Sequence, residues 1–367
     1  MFDDIRPYTD VEIPAAMRRI TADPQFASIC RYVFPDTPFS EVEDMMLRCR
    51  NIYEFQHVFM YPVMKFIEKS STHGLSYSGF GNLDKNQGYL FVSNHRDIVL
   101  DAAFLQVLLD KEDMETAEIS FGANLMISPM IVDLGKANKM YKVERPDTVS
   151  SPREFFYKSQ YLSEYIRHVV TENNSSIWIA QRNGRTKDGK DATDSGIVRM
   201  FSMSGKGDPV ADMAALHIAP MAISYEWEPC DMLKARELYA REVSGEYRKA
   251  PGEDLNSIIT GISQQKGRIF ISICKPVTSA DLAPFAGMRS NHLNQEVARM
   301  ITERINKAYH LFPNNYIAAD LLRGEERFRN EYSDSERDIF VRHIEAADNE
   351  RMREILLGIY ANPVFER

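Results

Sequence analysis

The sequence predicts an α/β fold: a mixed central sheet flanked by helices, with helical N- and C-terminal extensions. Three observations predict it. Short β-rich apolar runs alternate with longer segments of helical periodicity, the pattern of layered α/β packing. The chain has 367 residues, 44% of them hydrophobic, which is enough for one large core or two modest ones. No internal repeat and no low-complexity linker interrupts it, which excludes fibrous repeats and wholesale disorder.

Residues 1–72 read as a helical extension. Phe39-Ser40 followed by Glu41 and Glu43 is a helix start, because acidic side chains favour the first turn. The stretch 45–66, rich in Met, Tyr, Phe and Val, either packs on a core or lies on a membrane, and Pro62 kinks it. Residues 73–323 form the α/β domain. It opens with Gly74-Leu-Ser-Tyr-Ser-Gly79 and a turn at Gly81-Asn82. Strands are expected at 88–93, 176–180, 217–225 and 268–274, with Pro220 marking an edge or a bulge. Helices at 98–109, 152–171 and 291–309 lie among them. The densely charged tail 324–367, with Leu356, Leu357 and Ile359 near its end, reads as one or two surface helices.

Composition narrows the function. With 44 basic and 53 acidic residues the net charge is -9, which argues against a broad electrostatic grip on nucleic acid. Cys30, Cys49, Cys230 and Cys274 have neither zinc nor redox spacing and read as thiols in a reducing compartment. The opening Met-Phe-Asp-Asp-Ile-Arg lacks the basic-then-apolar pattern of a signal peptide. The uncharged run 119–132 falls short of the roughly 18–20 residues that span a bilayer. The expected location is cytoplasmic, peripherally associated with a membrane surface, with the apolar stretch 55–66 as the expected contact.

Chemistry concentrates in Val92-Ser-Asn-His95-Arg-Asp97-Ile-Val-Leu-Asp101, where a strand ends, a polar turn presents a histidine and a helix begins. Asp97 suits the helix N-cap, its carboxylate accepting first-turn amides. Asp101 lies one turn in, and helical side chains lean towards the N-terminus, so it points back at His95. A carboxylate on one imidazole nitrogen fixes the tautomer and raises the basicity of the other, which makes a general base for a hydroxyl. Amides at the helix start would then stabilise an oxyanion.

Three further segments follow in order. Phe121-Gly-Ala-Asn-Leu-Met-Ile-Ser-Pro129 leads into Met140-Tyr-Lys142-Val-Glu-Arg145-Pro146. Then come Ile177-Trp-Ile-Ala-Gln181-Arg182-Asn-Gly184-Arg185-Thr186-Lys187-Asp-Gly189 and Ile218-Ala-Pro220-Met-Ala-Ile-Ser-Tyr225-Glu226. The ordered set, over residues 73–280, resembles the four blocks of the glycerolipid acyltransferases, which include glycerol-3-phosphate and 1-acylglycerol-3-phosphate acyltransferases.

The resemblance implies the family's fold and roles. His95 is the catalytic base and Asp101 its partner acid. Arg145 is a phosphate-binding arginine, Gly184 and Arg185 belong to the third block, and Pro220 shapes the acyl or acceptor site. Lys142 and Lys187 would join the two arginines in a cationic patch, arginine gripping a phosphate or carboxylate through paired hydrogen bonds. The donor implied is an acyl thioester of acyl carrier protein or coenzyme A, and the acceptor a glycerol phosphate or lysophospholipid. No metal and no other cofactor is implied.

Two departures from the family pattern are present. Five residues, not four, separate His95 from Asp101, which leaves Asp97 open as the imidazole's partner. Arg182 stands three residues before Arg185, where the family has glutamate, which opens the way to an amino-acid-based or other hydroxylated lipid acceptor. A non-catalytic lipid-binding or scaffold protein of the same fold is the alternative of a different class.

Other patterns carry less. Gly79-Phe-Gly81 lacks the rest of a dinucleotide fingerprint, and Ser204-Gly-Lys206-Gly207 lacks the hydroxyl residue of a phosphate loop. The hydrolase signature Gly-x-Ser-x-Gly is absent. The remaining histidines show no metal-ligand spacing, which argues against a metal-dependent hydrolase.

Overall fold

Seven strands form one mixed sheet in the computed structural model, which describes residues 2–146 and 148–367. They are β1 (Leu75–Ser78), β2 (Leu90–Ser93), β3 (Glu118–Gly122), β4 (Met140–Val143), β5 (Ile177–Ala180), β6 (Ile218–Tyr225) and β7 (Ile269–Ile273). Their order is β1-β7-β6-β2-β5-β3-β4. Only the β6–β7 pair is antiparallel. The central position of β2 and β6 explains their composition: every residue of both is buried, as expected of strands covered on two faces.

Side chains on successive residues point to opposite faces of the sheet. Leu90, Val92, Ile177, Ile179 and Ile218 pack under the helices Pro152–Arg167, Ser195–Ser202 and Ser290–Ala308. Phe91, Trp178, Ala219, Met221 and Ile271 face the helix Leu100–Lys111 and the end of Tyr61–Ser71. The 100–111 helix is apolar nearly all round and buried along most of its length, the signature of a core helix rather than an amphipathic one.

Pro220 corrects an expectation. It lies in the interior strand β6, opposite Val92 of β2, and not at an edge. The missing N–H is tolerated because of where it falls. The Pro220 carbonyl accepts from the Cys274 amide at 2.9 Å on the β7 side, just past the last antiparallel rung, Met221–Ile273, so the N–H that proline lacks falls beyond the paired ladder.

The N-terminal segment folds into helices Ile13–Thr21, Pro24–Val33 and Phe39–Arg48, then a run from Ile52 to Ser71. Glu41 does sit in a first turn. Pro62 is accommodated by a wide π turn, Gln56–Met60, just ahead of it. The expectation that 55–66 meets a membrane fails. Phe55 is 0% exposed and Phe59 and Met64 are each 4% exposed, packed with Ile20, Phe26 and Met46 or against the sheet's helices. Among the described residues no helix is long and apolar enough to cross a membrane.

The C-terminal segment makes two helices, Asp334–Glu345 and Glu350–Phe365, but they are more than surface cover. Phe340, Leu356, Ile359 and Tyr360 close a fourth cluster against Pro313–Arg323 and Ala235. Gly189, at φ +80°, shows how tight the fit is: an added Cβ would lie 2.1 Å from the Ile359 carbonyl oxygen. The last helix therefore presses directly on the loop that follows β5.

Glu118 of β3 gives the fold a pH dependence. Burial pushes its carboxyl up to about 7, against a hydrogen bond from Tyr165 that lowers it. A carboxyl with a raised folded pKa binds a proton that the unfolded chain has released. Stability is therefore lost as pH rises from the ordinary carboxylate range to about 7. Glu118→Gln is expected to raise the melting temperature at pH 8 and leave it unchanged at pH 4. Thermal unfolding across that range checks this, and an unchanged melting temperature at both ends would contradict it.

Candidate active site

The parallel strands β2, β3, β4 and β5 end on one side of the sheet, where an open α/β sheet places its binding crevice. A cavity of about 830 Å³ lies there. Gly122, Val143 and Ala180, the last residues of β3, β4 and β5, line it, as does His95, two residues past β2.

His95 is fixed from behind. Its Nδ1 lies 2.8 Å from Asp101 Oδ2, and Asp101 is fully buried. The same carboxylate accepts the amides of Arg96 (2.6 Å) and Asp97 (3.0 Å) and the Tyr225 hydroxyl (2.8 Å). With Nδ1 donating to a carboxylate, the proton is placed there and Nε2 is left as the base. Nε2 has no protein partner among the described residues. The ring stands edge-on to Trp178 at 5.8 Å, and Trp178 is itself tied to Ser93 Oγ at 2.9 Å.

Asp101, and not Asp97, is thus the residue on the imidazole. The five-residue spacing is absorbed by an extra turn residue before the helix, which starts at Leu100. Asp97 Oδ1 accepts from the amides of Val99 (2.9 Å) and Leu100 (2.8 Å). Its other oxygen is buried without a hydrogen-bond partner, over Gly261, where an added Cβ would lie 2.1 Å away. Burial and the neighbouring Asp101 carboxylate push the Asp97 pKa up. Asp101→Asn is expected to lower turnover on the order of 10²–10⁴-fold, because the imidazole loses its orienting acceptor. Asp97→Ala is expected to cost about 0.5–2 kcal/mol of stability, with turnover largely kept. Steady-state kinetics paired with urea unfolding of both variants checks the contrast.

These bonds correct the oxyanion expectation. Four turn amides, those of Arg96, Asp97, Val99 and Leu100, are already spent on Asp101 and Asp97. Among the described residues the Ile98 amide has no protein acceptor, and Ile98 lines the cavity.

A buried charge network that the sequence reading missed locks the turn to its neighbours. Arg96 is 0% exposed. It bonds Asp191 at 2.6 Å and Glu228 at 3.2 Å, donates to the Gly189 carbonyl, and stacks on Tyr309. Lys234 bridges Glu228 (2.6 Å) and the Arg96 carbonyl (2.7 Å). Burial works against the Arg96 charge, but Asp191 and Glu228 outweigh it and hold its pKa well above the usual value. Asp191 also accepts from Asn94 and Thr186, and the Thr186 amide donates to the His95 carbonyl at 2.8 Å. The loop after β5 is therefore stitched to the histidine turn on both sides. Nothing in a single sequence marks Arg96 or Asp191 as partners. The signal available was a charged residue wedged between His95 and a buried helix.

Of the other expected site residues, Arg145, Gly184, Arg185 and Lys187 line the cavity, as does Arg182. Gly184, at φ +75°, provides the left-handed turn that carries Arg185. Arg145 donates to Asn124 at 3.3 Å. Arg185 is in no ion pair among the described residues, and one of its terminal nitrogens is buried without a hydrogen-bond partner. Lys187 is committed to Glu237, and burial lowers its pKa. Lys142 is not brought to the cavity. Strand alternation turns Val143 inward and Lys142 outward, where it pairs with Glu144. Pro220 does not line the cavity either. Its place inside β6 makes it part of the sheet.

The cavity has two characters. Phe155, Leu162, Ile197, Met200 and Met203 line an apolar arm between the 152–167 and 195–202 helices. Arg145, Arg182, Arg185 and Lys249 line a polar arm. His95 lines the same cavity. Among the described residues no group of three or more His, Cys, Asp or Glu side chains could hold a metal ion.

No protein-family model matches the chain, and no curated protein matches it. A solved structure to which it is similar is that of the 1-acyl-sn-glycerophosphate (LPA) acyltransferase PlsC from Thermotoga maritima. The identity is 14% and the TM-score 0.36, over 82% of this chain and 98% of that one.

Proposed function

We propose that this chain is an O-acyltransferase that moves a fatty acyl group from a thioester of acyl carrier protein or coenzyme A to the hydroxyl of a phosphate-bearing acceptor, a glycerol phosphate or a lysophospholipid. The observation that carries the reading is the Asp101–His95 pair, its Nε2 left without a protein partner among the described residues, in a cavity lined by both apolar side chains and arginines.

The chemistry follows from that arrangement. An acyl chain fits the apolar arm, and an anionic group fits the arginines. The acceptor hydroxyl gives its proton to His95 Nε2 as its oxygen attacks the thioester carbonyl, and Asp101 stabilises the imidazolium. The negative charge on the carbonyl oxygen is met by the Ile98 amide at the start of a helix. As the carbonyl re-forms, the carbon–sulfur bond breaks and the imidazolium returns its proton to the sulfur. The products are an ester and a free thiol.

Arg145 and Arg185 are half-buried at the cavity wall, and a phosphate offers a guanidinium paired acceptors. Arg145→Ala and Arg185→Ala are expected to raise the KM for the acceptor on the order of tenfold or more, with little change in the KM for the thioester. Acceptor-dependent thiol release measures both. If both variants keep the wild-type acceptor KM, or if a neutral alcohol serves as well as its phosphate, the phosphate reading falls. Arg182 favours a second reading, an acceptor that carries a carboxylate, such as an amino-acid-based lipid, because it adds another guanidinium to the polar arm. Peripheral attachment to a membrane belongs to either reading, since the product is a lipid.

A further inference from the structure

Four exposed large apolar side chains belong to segments that line this cavity. Ile127 is 63% exposed, Tyr157 54%, Leu255 47% and Phe156 46%. They come from three separate segments, and each segment also supplies the cavity wall, through Leu125, Phe156 and Asp254. The first and third segments are tied together by Asn124 and Asp254 at 3.1 Å. Phe156 belongs to both surface and wall: it is exposed, and its ring lies 6.0 Å from Tyr157. The rim is therefore continuous with the apolar arm.

The charge around this rim runs against the protein's net -9. Arg153, Lys158 and Arg199 flank the aromatic pair, and none is in an ion pair among the described residues. Arg153 instead stacks on Tyr157 at 5.6 Å. Of the carboxylates that line the cavity, Glu144, Glu237 and Asp254 are answered by Lys142, Lys187 and Lys249, while Asp188 and Asp194 accept backbone amides. Aromatic rings beside uncompensated cations match the boundary of an anionic bilayer, where rings sit at headgroup depth and cations meet phosphates. An exposed apolar patch of this kind has a cost in water unless something covers it.

We propose that this rim, built from the 123–127 loop, the start of the 152–167 helix and the start of the 253–263 helix, is a docking surface for an anionic lipid bilayer. It would set the cavity mouth against the membrane, so that an acyl chain passes between bilayer and apolar arm without crossing water. What passes through the mouth rests on the acyltransferase reading. The docking itself does not, and it is tested separately.

The test is flotation of the full chain with vesicles of phosphatidylglycerol and phosphatidylcholine, or of phosphatidylcholine alone. The wild type is expected to float with the anionic vesicles and to be released by high salt. The combined variant Ile127→Asp, Tyr157→Asp and Leu255→Asp, none of which lines the cavity, is expected to lose vesicle partitioning about tenfold or more. A control, Val11→Asp with Ile339→Asp, replaces exposed apolar residues away from the rim and is expected to float as the wild type does. Failure of the wild type to float with either vesicle overturns the proposal. So does a rim variant that floats normally, including one that loses instead its binding to an acidic carrier protein. Acyl transfer between a soluble thioester and a soluble acceptor, measured without vesicles, should be unchanged in the rim variant. Its absence from the wild type, with flotation intact, would remove the transferase and leave the docking surface.

Discussion

His95→Ala is expected to lower acyl transfer by about 10²–10⁴-fold, the range for loss of a general base, with the fold intact. The size follows from how completely the site is organised around one nitrogen. Asp101 takes the Nδ1 proton, two backbone amides and Tyr225 hold that carboxylate still, and Trp178 limits the ring from its edge. Among the described residues that line the cavity, His95 is the one histidine. The ring's aromatic contact is the edge-on one with Trp178, and the His95 side chain keeps 15% exposure. Its removal should therefore leave the melting temperature close to the wild-type value while product formation collapses. Near-normal turnover in a folded His95→Ala protein would favour the scaffold reading.

Arg96→Met should have the largest effect on stability, about 3–5 kcal/mol, the range for removing one partner of a buried ion pair. The methionine fills part of the volume but leaves Asp191 and Glu228 sealed from water without the guanidinium. Lys234 still meets Glu228, so Asp191 bears most of the loss, helped only by Asn94 and Thr186. The effect should reach the site as well, because Asp191 holds the loop that carries Arg182 and Arg185. Urea unfolding gives the first quantity, and acceptor KM gives the second. A loss below about 1 kcal/mol would mean that the network is worth no more than a surface pair.

The parts of the fold legible in the sequence were those with a strong local signal. The strands at 90–93, 177–180, 218–225 and 269–273 are buried and β-rich, and each falls within a run that composition alone marks. The strands Leu75–Ser78, Glu118–Gly122 and Met140–Val143 were not read as strands. They lie at or next to the sheet's edges and are four or five residues long. Ser76, Glu118, Ser120 and Lys142 fall within them, so their pattern is diluted by polar residues. The 55–66 stretch shows the opposite problem. Composition says that Phe55, Phe59 and Met64 leave water, but not whether protein or lipid receives them; the helices from residue 13 to 48 receive Phe55 and Phe59, and the cluster around the 100–111 helix receives Met64.

The site divides in the same way. The pairing of Asp101 with His95 could be derived, because it depends on spacing within one turn and on the lean of helical side chains. The fate of the turn amides could not, since it depends on which carboxylate reaches them first. Arg96, Asp191, Glu228 and Lys234 come from positions up to 138 residues apart, and only the fold brings them together. Lys142 could have been set aside on strand parity, had β4 been recognised.

The measurement closest to the central claim is mass spectrometry of the lipids formed when the purified protein meets a panel of acyl thioesters and acceptors, run beside His95→Ala. The account predicts a new acyl ester of a phosphate-bearing acceptor, formed one-for-one with free thiol and absent from the variant. Thioester consumption that yields only free fatty acid, or an acyl product formed equally by His95→Ala, would contradict it.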